Sequence, residues 1–569
     1  LIGSAPQPPA VGRDDQRFLS RVARRTVEEY LSDRSQYASP YVPTSLADVN
    51  GRLVVTLRHA GRQIGIGSAG PGPIVQTTIE ATLAAVRVAG KNESVTEKSV
   101  AAMLVEIEAA GSEQAITCDG DSLQSDEIDR TLEPGLDGLT LAFGASVHRV
   151  CPGELSVKNL PLSGAVKHLL AGIARAPHDA TVSRFRTTHW YQPARDGAVI
   201  ALRRGMTLFK SSDVGPASIQ TAVDSLGAYL KYRQQPSGLF AYEYEPATEA
   251  YSDRDDYVHQ AAAVWAFAEF AARADSDVDR RAAEAGIRAQ TSRIRQLAGI
   301  DGASFVSSPD ARPSLGLTAY VLLALNSPMV EDQNPQARDR LTTGILWLQD
   351  DSGEFISAFP PALHPGLFKK YPGVVLEALL QQYRDNPSKP VLKAFNRAVA
   401  FYTGAFFRRP RLRLAAGLLK PIAAMASYAN RKDFADLAYR LADWQIERQR
   451  TADNCPWPEL HGGVRADKSP LPDITTAICL DGWIEASATA RRFGDRRRAA
   501  RYDEAAKRAV RFVLQLQVRE SEMYYLRAHQ DAVGGMRTSP ADNRLTIRNV
   551  QLAIVSLMHY MDAYHRPQH

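Results

Sequence analysis

Two kinds of hydrophobic pattern alternate along the chain from about residue 217 to its end. Segments of the first kind are apolar nearly all round and predict buried helices, whereas segments of the second kind have one charged face and predict surface helices. The first kind comprises Asp256–Ala274, Gly316–Asn326, Pro372–Tyr383, Leu414–Tyr428, Asp473–Ala490 and Thr546–Tyr564. The second kind begins near Ala217 and continues with Val278–Ala298, Gln336–Gln349, Val391–Tyr402, Lys432–Gln449 and Arg498–Gln517. Six of each in strict alternation predict an inner ring of helices wrapped by an outer ring, an (α/α)6 toroid.

The part of the chain before this array mixes helical and strand patterns. Helical spacing covers Arg13–Leu31, Ile74–Val88 and Ser163–Ala174, while Gly51–Gly61 alternates β-branched residues as a strand does. Further strands are predicted at Ser99–Glu108, Leu139–Phe143 and Ser146–Val150. We therefore expect a flexible lead-in over residues 1–12, an α+β domain over 13–207 and a large all-α toroid domain over 217–569.

Composition narrows the functional classes. The charged fraction of 23% and a net charge of 68 − 63 = +5 are ordinary for a folded protein, and no nucleic-acid-binding motif accompanies the arginine clusters. No charge-free apolar run is long enough to span a membrane. The four cysteines lack metal-ligand spacing and allow one disulfide in each half of the chain. Nucleotide-binding and HExxH motifs are absent from the sequence, so we expect no cofactor or metal.

The first residue is Leu1 rather than Met, which indicates that something upstream is missing. A removed signal peptide or membrane anchor leaves such a start, as does a trimmed disordered end. We expect an exported or periplasmic protein, with a cytoplasmic one as the alternative.

The longest loops of the toroid lead into the inner helices. They are Gly238–Asp255, Asp350–Lys370, Asp453–Pro472 and Met523–Leu545. The inner-helix N-termini meet at one mouth of the ring, so these loops converge there, and long loops on a rigid scaffold commonly carry function. Helix N-termini also favour anionic groups through their free N–H donors.

Aromatic and acidic side chains recur in these loops, a composition that suits a sugar. We assign candidate catalytic roles to Glu243, Asp256, His259, Glu459, His461 and Asp473. Candidate substrate-binding residues are Tyr242, Tyr244, Tyr257, Tyr371, Trp457 and Arg548. Two carboxylates across a cleft perform glycoside hydrolysis, whereas Tyr and His beside a uronate support proton abstraction by a lyase or an epimerase.

Structural roles remain open for the same residues. Asp256 and Asp473 stand where helix N-caps belong, and His259 fits a hydrogen-bonded core histidine. Tyr242 and Tyr244 alternate with acids, as in a short strand with one packed face. Trp457 packs equally well beneath a loop, and a salt bridge to Asp542 would occupy Arg548.

The first half resembles the AMMECR family of α+β domains. The likeness lies in "GRLVVTLRHAGRQIGIGSAG" between two helices and in "GLDGLTLAFGASVHRVCPGEL", and it covers roughly residues 13–180. The family has a Leu-Arg-Gly-Cys-Ile-Gly run after the strand. This chain has Gln63-Ile64-Gly65-Ile66-Gly67, with Ile64 in the place of the Arg and no Cys. The resemblance therefore implies a degenerate, non-catalytic copy that serves as a scaffold.

The second half is similar to (α/α)6 toroid proteins that include glycoside hydrolases, polysaccharide lyases, uronyl epimerases and sugar 2-epimerases. The segments that carry this likeness are "GLFAYEYEPATEAYSDRDDYVHQAAAVWAF", "KKYPGVVLEALL" and "GGMRTSPADNRLTIRNVQLAIVSL". Val374, Val375 and Leu552 stand where such enzymes have room for a catalytic acid or histidine, which argues against activity.

Two hypotheses follow. The first is a non-catalytic or weakly catalytic binding or assembly subunit with a carbohydrate-type cleft at the mouth. The alternative is a polysaccharide- or uronate-active hydrolase, lyase or epimerase that uses the same mouth. Expected partners are an oligosaccharide, a protein partner or a second copy of the chain, and no nucleic acid.

Overall fold

The computed structural model describes residues 6–33, 37–39, 41–91, 100–116, 128–143, 146–171, 181–274, 276–309, 314–330, 334–359, 371–467 and 469–565. Within these ranges a sheet region precedes a ring of helices. The chain leaves the last strand of the sheet at Leu202 and enters the first ring helix at Pro216. The predicted domain boundary at 207–217 falls in this connection and stays a prediction.

The sheet region is built on antiparallel strands. Its elements are α1 (Arg13–Asp33), β1 (Asn50–His59), β2 (Arg62–Pro73), α2 (Ile74–Lys91), β3 (Leu104–Ala110), β4 (Gln114–Ile116), α3 (Ile128–Thr131), β5 (Asp137–Phe143), β6 (Ser146–Val150), α4 (Pro152–Val157), α5 (Leu162–Ala171), β7 (Thr181–Gln192) and β8 (Ile200–Leu202). The strand order is β2-β1-β3-β7-β5-β6, with β4 and β8 also paired to β7. The strand predicted over Ser99–Glu108 begins only at Leu104, because residue 100 is helical and Met103 lies before the ladder.

The two faces of this sheet differ in polarity. Leu53, Val55 and Leu57 of β1 are fully buried and pack with α1 and α2 in one apolar core. Because strand side chains alternate, Thr56 and Arg58 point to the other face. Glu106 of β3 joins Arg58 there, with 2.8 Å between Arg58 Nε and Glu106 Oε2. This polar face has to be covered by partners that can hydrogen-bond.

Twelve described helices form the ring, and the predicted alternation is confirmed. The inner helices are α7 (Tyr257–Ala271), α9 (Leu315–Leu325), α11 (Pro372–Asp385), α13 (Leu412–Tyr428), α15 (Thr475–Arg492) and α17 (Ile547–Tyr564). The outer helices are α6 (Pro216–Arg233), α8 (Asp277–Thr291), α10 (Pro335–Trp347), α12 (Lys389–Arg408), α14 (Lys432–Ile446) and α16 (Arg496–Leu516). Each inner helix packs against the next, and α17 packs against α7, so the inner ring is closed.

The main departure from the predicted helices lies after α8. The segment Val278–Ala298 was expected to be one helix, but the helix ends at Thr291. Ile294–Gln296 then forms strand β11, which pairs with β12 (Ser304–Val306). The β-branched Thr291 and Ile294 favour this change, since they lose side-chain freedom in a helix.

The structure decides whether the cysteines of the toroid half are paired. Cys455 and Cys479 are buried free thiols, so the disulfide that the sequence allows there is not formed. Cys151 is free and buried as well, while Cys118 lies outside the described residues.

Buried polar contacts join the sheet region to the ring. Tyr524 Oη donates to Glu106 Oε1 at 2.7 Å, and its ring stacks on Tyr191 with centroids 4.5 Å apart. Glu522, which is fully buried, accepts from Thr207 N at 3.0 Å and from Arg537 Nη1 at 2.6 Å. Residues in the loop before α17 thus supply hydrogen-bonding partners for polar groups of the sheet region.

We expect Glu522→Gln to lower the free energy of unfolding by about 3 kcal/mol, because the substitution leaves the buried Arg537 without its counter-charge. Glu249→Gln is the matched control. Its partner Arg527 is 66% exposed, and we expect a loss below about 1 kcal/mol. Guanidinium unfolding of the full chain measures both, and equal losses would contradict the structural role of Glu522.

Candidate functional site

The mouth of the ring is formed where the chain closes it. Strand β9 (Glu243–Glu245), before the first inner helix, pairs with β14 (Asp542–Thr546), before the last one. Ile547 N donates to Tyr242 O at 3.1 Å, which extends this pairing by one residue. Residues from opposite ends of the toroid sequence, Tyr242 and Arg548, are therefore fixed side by side.

Three candidate residues at this mouth contact one another through polar side-chain atoms. Asp256 caps α7, and its Oδ1 accepts from Val258 N and His259 N at 3.0 and 3.1 Å. Asp256 Oδ2 lies 3.5 Å from His259 Nδ1, and Tyr242 Oη lies 3.1 Å from the same nitrogen. The Tyr242 and His259 rings are nearly parallel, with an interplanar angle of 5°. Asp256 thus caps the helix with one oxygen and keeps the other near His259.

Arg548 places a positive charge near the hydroxyls of Tyr242 and Tyr371. Burial, with help from Asp256 and Glu243, raises the pKa of Tyr242 to about 12, and the charge of Arg548 opposes the rise. Burial and Asp256 likewise raise the pKa of Tyr371 to about 12, again against Arg548. These tyrosines are therefore protonated at neutral pH and can donate a proton or a hydrogen bond.

The structure brings six of the twelve candidate residues together. Tyr242, Glu243, Asp256, His259, Tyr371 and Arg548 form what we call the mouth cluster. The alternative salt bridge from Arg548 to Asp542 is not formed, because Asp542 binds Arg544 instead, with Nη2 at 2.7 Å from Oδ2.

Three further candidates lie near the mouth in structural surroundings. Tyr257 is held against the guanidinium of Arg293, 5.0 Å from the ring centroid. Tyr244 is buried in β9 and packs between Tyr251 and Arg233, so the strand with one packed face is confirmed there. Asp473 precedes α15 and accepts from Thr475 N at 2.8 Å, which is a capping contact.

The remaining three candidates do not join the mouth cluster. Glu459 is fully buried and forms an ion pair with Arg204, 2.9 Å from Nε to Oε1. His461 Nε2 lies 2.8 Å from Cys455 O, and Trp457 is covered by the guanidinium of Arg186 at 4.8 Å. Glu459 and Trp457 thus dock the loop against the sheet region, to which both arginines belong, whereas the His461 side chain binds within its own loop.

A second polar group lies deeper on the ring axis, and sequence reasoning missed it. Lys420 Nζ of α13 is 2.5 Å from Glu377 of α11 and 2.9 Å from Asp481 of α15. His559 of α17 contacts Asp481 through Nδ1 at 2.5 Å and Glu485 through Nε2 at 3.2 Å. We call these five residues the floor chain. The sequence does contain a sign of the floor chain: α11, α13, α15 and α17 are largely apolar, yet each has one or two ionisable residues in its interior.

Electrostatics keep the floor chain ionised. Burial alone would lower the pKa of His559, but Asp481 and Glu485 raise it to about 9. Burial would raise the pKa of Asp481, yet Lys420 and His559 hold it well below its ordinary value. The pKa of Glu485 is also lowered, against burial, by its hydrogen bond to His559. These carboxylates therefore carry negative charge at neutral pH.

Membrane-spanning helices and metal-binding clusters are both missing from the described residues. No helix among them is long and apolar enough to cross a bilayer. No group of three or more His, Cys, Asp and Glu side chains there is arranged to hold a metal ion.

Comparison with known proteins yields structural likeness alone. No family model and no curated protein matches the sequence. Among solved structures, the cellobiose 2-epimerase from Bacillus thermoamylovorans B4167 is 10% identical with a TM-score of 0.46, over 60% of this chain and 100% of that one. The unsaturated glucuronyl hydrolase from Bacillus sp. GL1 is 13% identical with a TM-score of 0.44, over 61% and 100%.

A third structure covers a smaller part of the chain. The uncharacterized protein PH0010 from Pyrococcus horikoshii is 18% identical with a TM-score of 0.31, over 34% of this chain and 98% of that one. The larger neighbours are (α/α)6 toroid carbohydrate-active enzymes. Because the TM-score of each of these three structures is below 0.5, they assign no role to any residue of this chain, and the AMMECR-like character of the first half stays a prediction.

The raised pKa of His559 predicts a pH-dependent stability. Protonated His559 stabilises the fold, and this contribution is complete below its ordinary pKa of 6.5 and is lost as the pH rises through about 9. We expect the free energy of unfolding to fall by about 1–3 kcal/mol across that window in the native chain. In His559→Gln this fall should be absent.

Guanidinium unfolding at several pH values across the window measures this effect. His148→Gln serves as the control because His148 is exposed on β6. The prediction is wrong if the His559 variant keeps the same pH dependence as the native chain.

Proposed function

We propose that the toroid is a carbohydrate-active enzyme that removes a proton from a uronate unit of an oligosaccharide, as a lyase or an epimerase. The observation that carries this proposal is the Tyr242–His259–Asp256 chain beside Arg548 at the mouth. Acid/base groups in hydrogen-bond reach of each other, next to a fixed cation, suit proton abstraction adjacent to a carboxylate.

Each residue has a distinct role in this proposal. Arg548 binds the uronate carboxylate and stabilises the negative charge that develops on it when the C5–H bond breaks. His259 accepts that proton, and Asp256 orients the imidazole and stabilises its charged form. Tyr242 is protonated at neutral pH, since its pKa is about 12, and it is the proton donor.

The two reactions differ in where that donated proton goes. In a lyase it goes to the oxygen at C4 as the C4–O bond breaks and a C4=C5 double bond forms. An epimerase needs its proton donor on the opposite face of C5, whereas Tyr242 Oη lies 3.1 Å from His259 Nδ1 and therefore on the same side of the sugar, which favours the lyase. In the lyase, Tyr242 regains a proton through its contact with His259, so the enzyme returns to its starting state.

Glycoside hydrolysis fits the described residues less well. It requires one protonated carboxylic acid and one ionised carboxylate across the cleft. Asp481 and Glu485 on the ring axis are both held ionised, by Lys420 and His559. The interpretation as a non-catalytic subunit gains no support from the described residues, because the mouth cluster is not consumed by contacts with the sheet region.

We also propose that residues 13–207 form a separate AMMECR-like domain that serves as a scaffold for the toroid. Supporting this are its contacts with Glu459, Glu522 and Tyr524, which lie in the loops preceding α15 and α17. These contacts immobilise the loop that leads to β14 and hence to Arg548. A scaffold role needs no catalytic thiol, and burial raises the pKa of Cys151 well above the range of a reactive thiolate.

We expect His259→Gln and Tyr242→Phe to lower kcat on uronate-containing oligosaccharides by about 10²–10⁴-fold, because each removes one proton-transfer group. Arg548→Met should raise KM as well as lower kcat, since it removes the carboxylate partner. A lyase is detected by the ultraviolet absorbance of the new double bond. An epimerase is detected by incorporation of solvent deuterium at C5.

Arg544→Met is the matched control for the loss of charge, because Arg544 is exposed and bound to Asp542. Its activity should equal that of the native chain. If the native chain neither forms a double bond nor exchanges deuterium on alginate, pectate and glycosaminoglycan oligosaccharides, the proposed reaction is wrong.

A further inference from the structure

The interior of the closed ring is not packed shut. Along α17, Arg548, Leu552, Val555 and His559 are partly exposed, while their neighbours in the helix are buried. Their spacing of four, three and four residues puts them on one helix face. The same pattern recurs in α13 at Leu414, Gly417 and Lys420, in α11 at Val374, Glu377 and Gln381, and in α15 at Ile478 and Glu485.

This exposed face points to the ring axis. The other sides of each inner helix are covered by its two inner neighbours and by outer helices. The floor chain confirms the direction, because its members come from α11, α13, α15 and α17 and yet touch one another. These partly exposed side chains therefore line the ring axis from the mouth cluster down to the floor chain, and we call the space that they face the lumen.

The lumen is deep enough for the end of an oligosaccharide. Eleven residues separate Arg548 from His559, which at the rise of an α-helix is about 16 Å. Tyr320 of α9 lies between the two levels. Burial raises the pKa of Tyr320, and Tyr371 and Glu377 raise it further, while Arg548 and Lys420 oppose the rise. The Tyr320 hydroxyl is therefore close enough to feel charges of the mouth cluster and charges of the floor chain. Trp265 of α7 is buried and packs against Tyr320 with centroids 5.9 Å apart, so the partly exposed aromatic ring is that of Tyr320.

The floor chain retains hydrogen-bonding capacity. The side chains of Lys420, Glu377, Asp481, His559 and Glu485 keep 19%, 24%, 12%, 23% and 23% of their surface exposed. Lys420 has three N–H donors and uses two on the carboxylates, and each carboxylate has more acceptor sites than it uses. Fixed donors and acceptors next to each other match the adjacent hydroxyls of a sugar ring.

The charge of the floor chain selects against an acidic sugar. Three carboxylates face two cations, so the five residues carry −3 + 2 = −1. Glu269, Arg273, Asp562 and Arg384 lie next to them and add two charges of each sign. The surplus stays negative, and a second negative charge in this confined space would be repelled. The mouth, with Arg548, has the opposite preference.

We propose that the lumen is a sugar subsite in which the floor chain holds a neutral hexose at the end of the substrate, while the uronate unit stays at the mouth. This inference rests on the proposed function for the uronate and adds the identity of the neighbouring unit. It also implies that the enzyme acts at chain ends, because the substrate enters the ring from its terminus.

Saturation-transfer NMR on the full chain tests the subsite without turnover, with D-glucose, D-mannose and D-galactose as neutral probes and D-glucuronate as the acidic one. Val555→Trp fills the lumen between the mouth and the floor without changing a charge. We expect it to lower the transfer to neutral hexoses at least tenfold and to leave D-glucuronate binding in place. Arg548→Met should do the reverse.

Val278→Trp is the matched control, since Val278 is 55% exposed on the outer helix α8, and it should bind all probes like the native chain. Unchanged hexose binding in folded Val555→Trp overturns the subsite. The subsite is also overturned if Val555→Trp unfolds while Val278→Trp stays folded, because that result means that side chains already fill the ring axis and leave no room for the indole. If Arg548→Met leaves D-glucuronate binding unchanged, the uronate assignment fails while loss of hexose binding in Val555→Trp still supports the subsite.

Discussion

A helix that is apolar all round is stable in water only where other parts of the protein cover its surface. The closed inner ring covers each inner helix on all sides except the one that faces the ring axis. Neighbouring inner helices and the outer layer bury the flanks and the back. The side facing the axis keeps contact with solvent, so polar side chains are tolerated there. Any charge placed on that side still lies deep in the protein and requires a partner. The floor chain meets this requirement, because each of its charged side chains contacts one of opposite charge.

Ring closure also assembles the mouth. Tyr242 comes before the first inner helix and Arg548 begins the last one, and they meet only because β9 pairs with β14. The same loop that leads to β14 carries Glu522 and Tyr524, whose buried contacts anchor it to the sheet region. The position of Arg548 therefore depends on contacts far from the mouth. A sheet region with no visible chemistry of its own can thus influence a site in the toroid.

Local patterns in the sequence are sufficient to predict the ring of helices, but they are insufficient to predict which side chains meet at the mouth and at the floor. Helix periodicity and caps such as Asp256 act over a few residues, so they can be read from a single segment. Glu459 was placed at the mouth because its loop is acidic and aromatic, but its partner Arg204 is 255 residues away in sequence. The floor chain was missed for the same reason. Lys420 alone in an apolar helix has no interpretation until Glu377 and Asp481 are seen beside it.

The two polar levels of the axis are built for different tasks. At the mouth, Tyr242 Oη and His259 Nδ1 are in hydrogen-bond contact, and a cation lies close to hydroxyls that stay protonated. At the floor, each charged group contacts at least one group of opposite charge, and the pKa values of Asp481 and His559 move away from neutrality in opposite directions. Groups whose ionised forms are stabilised in this way exchange protons poorly near neutral pH, but they are good fixed hydrogen-bonding partners. In the proposed function, separating the proton-transfer groups at the mouth from the ion-paired groups at the floor lets the ring hold a substrate without changing the protonation state that the reaction requires.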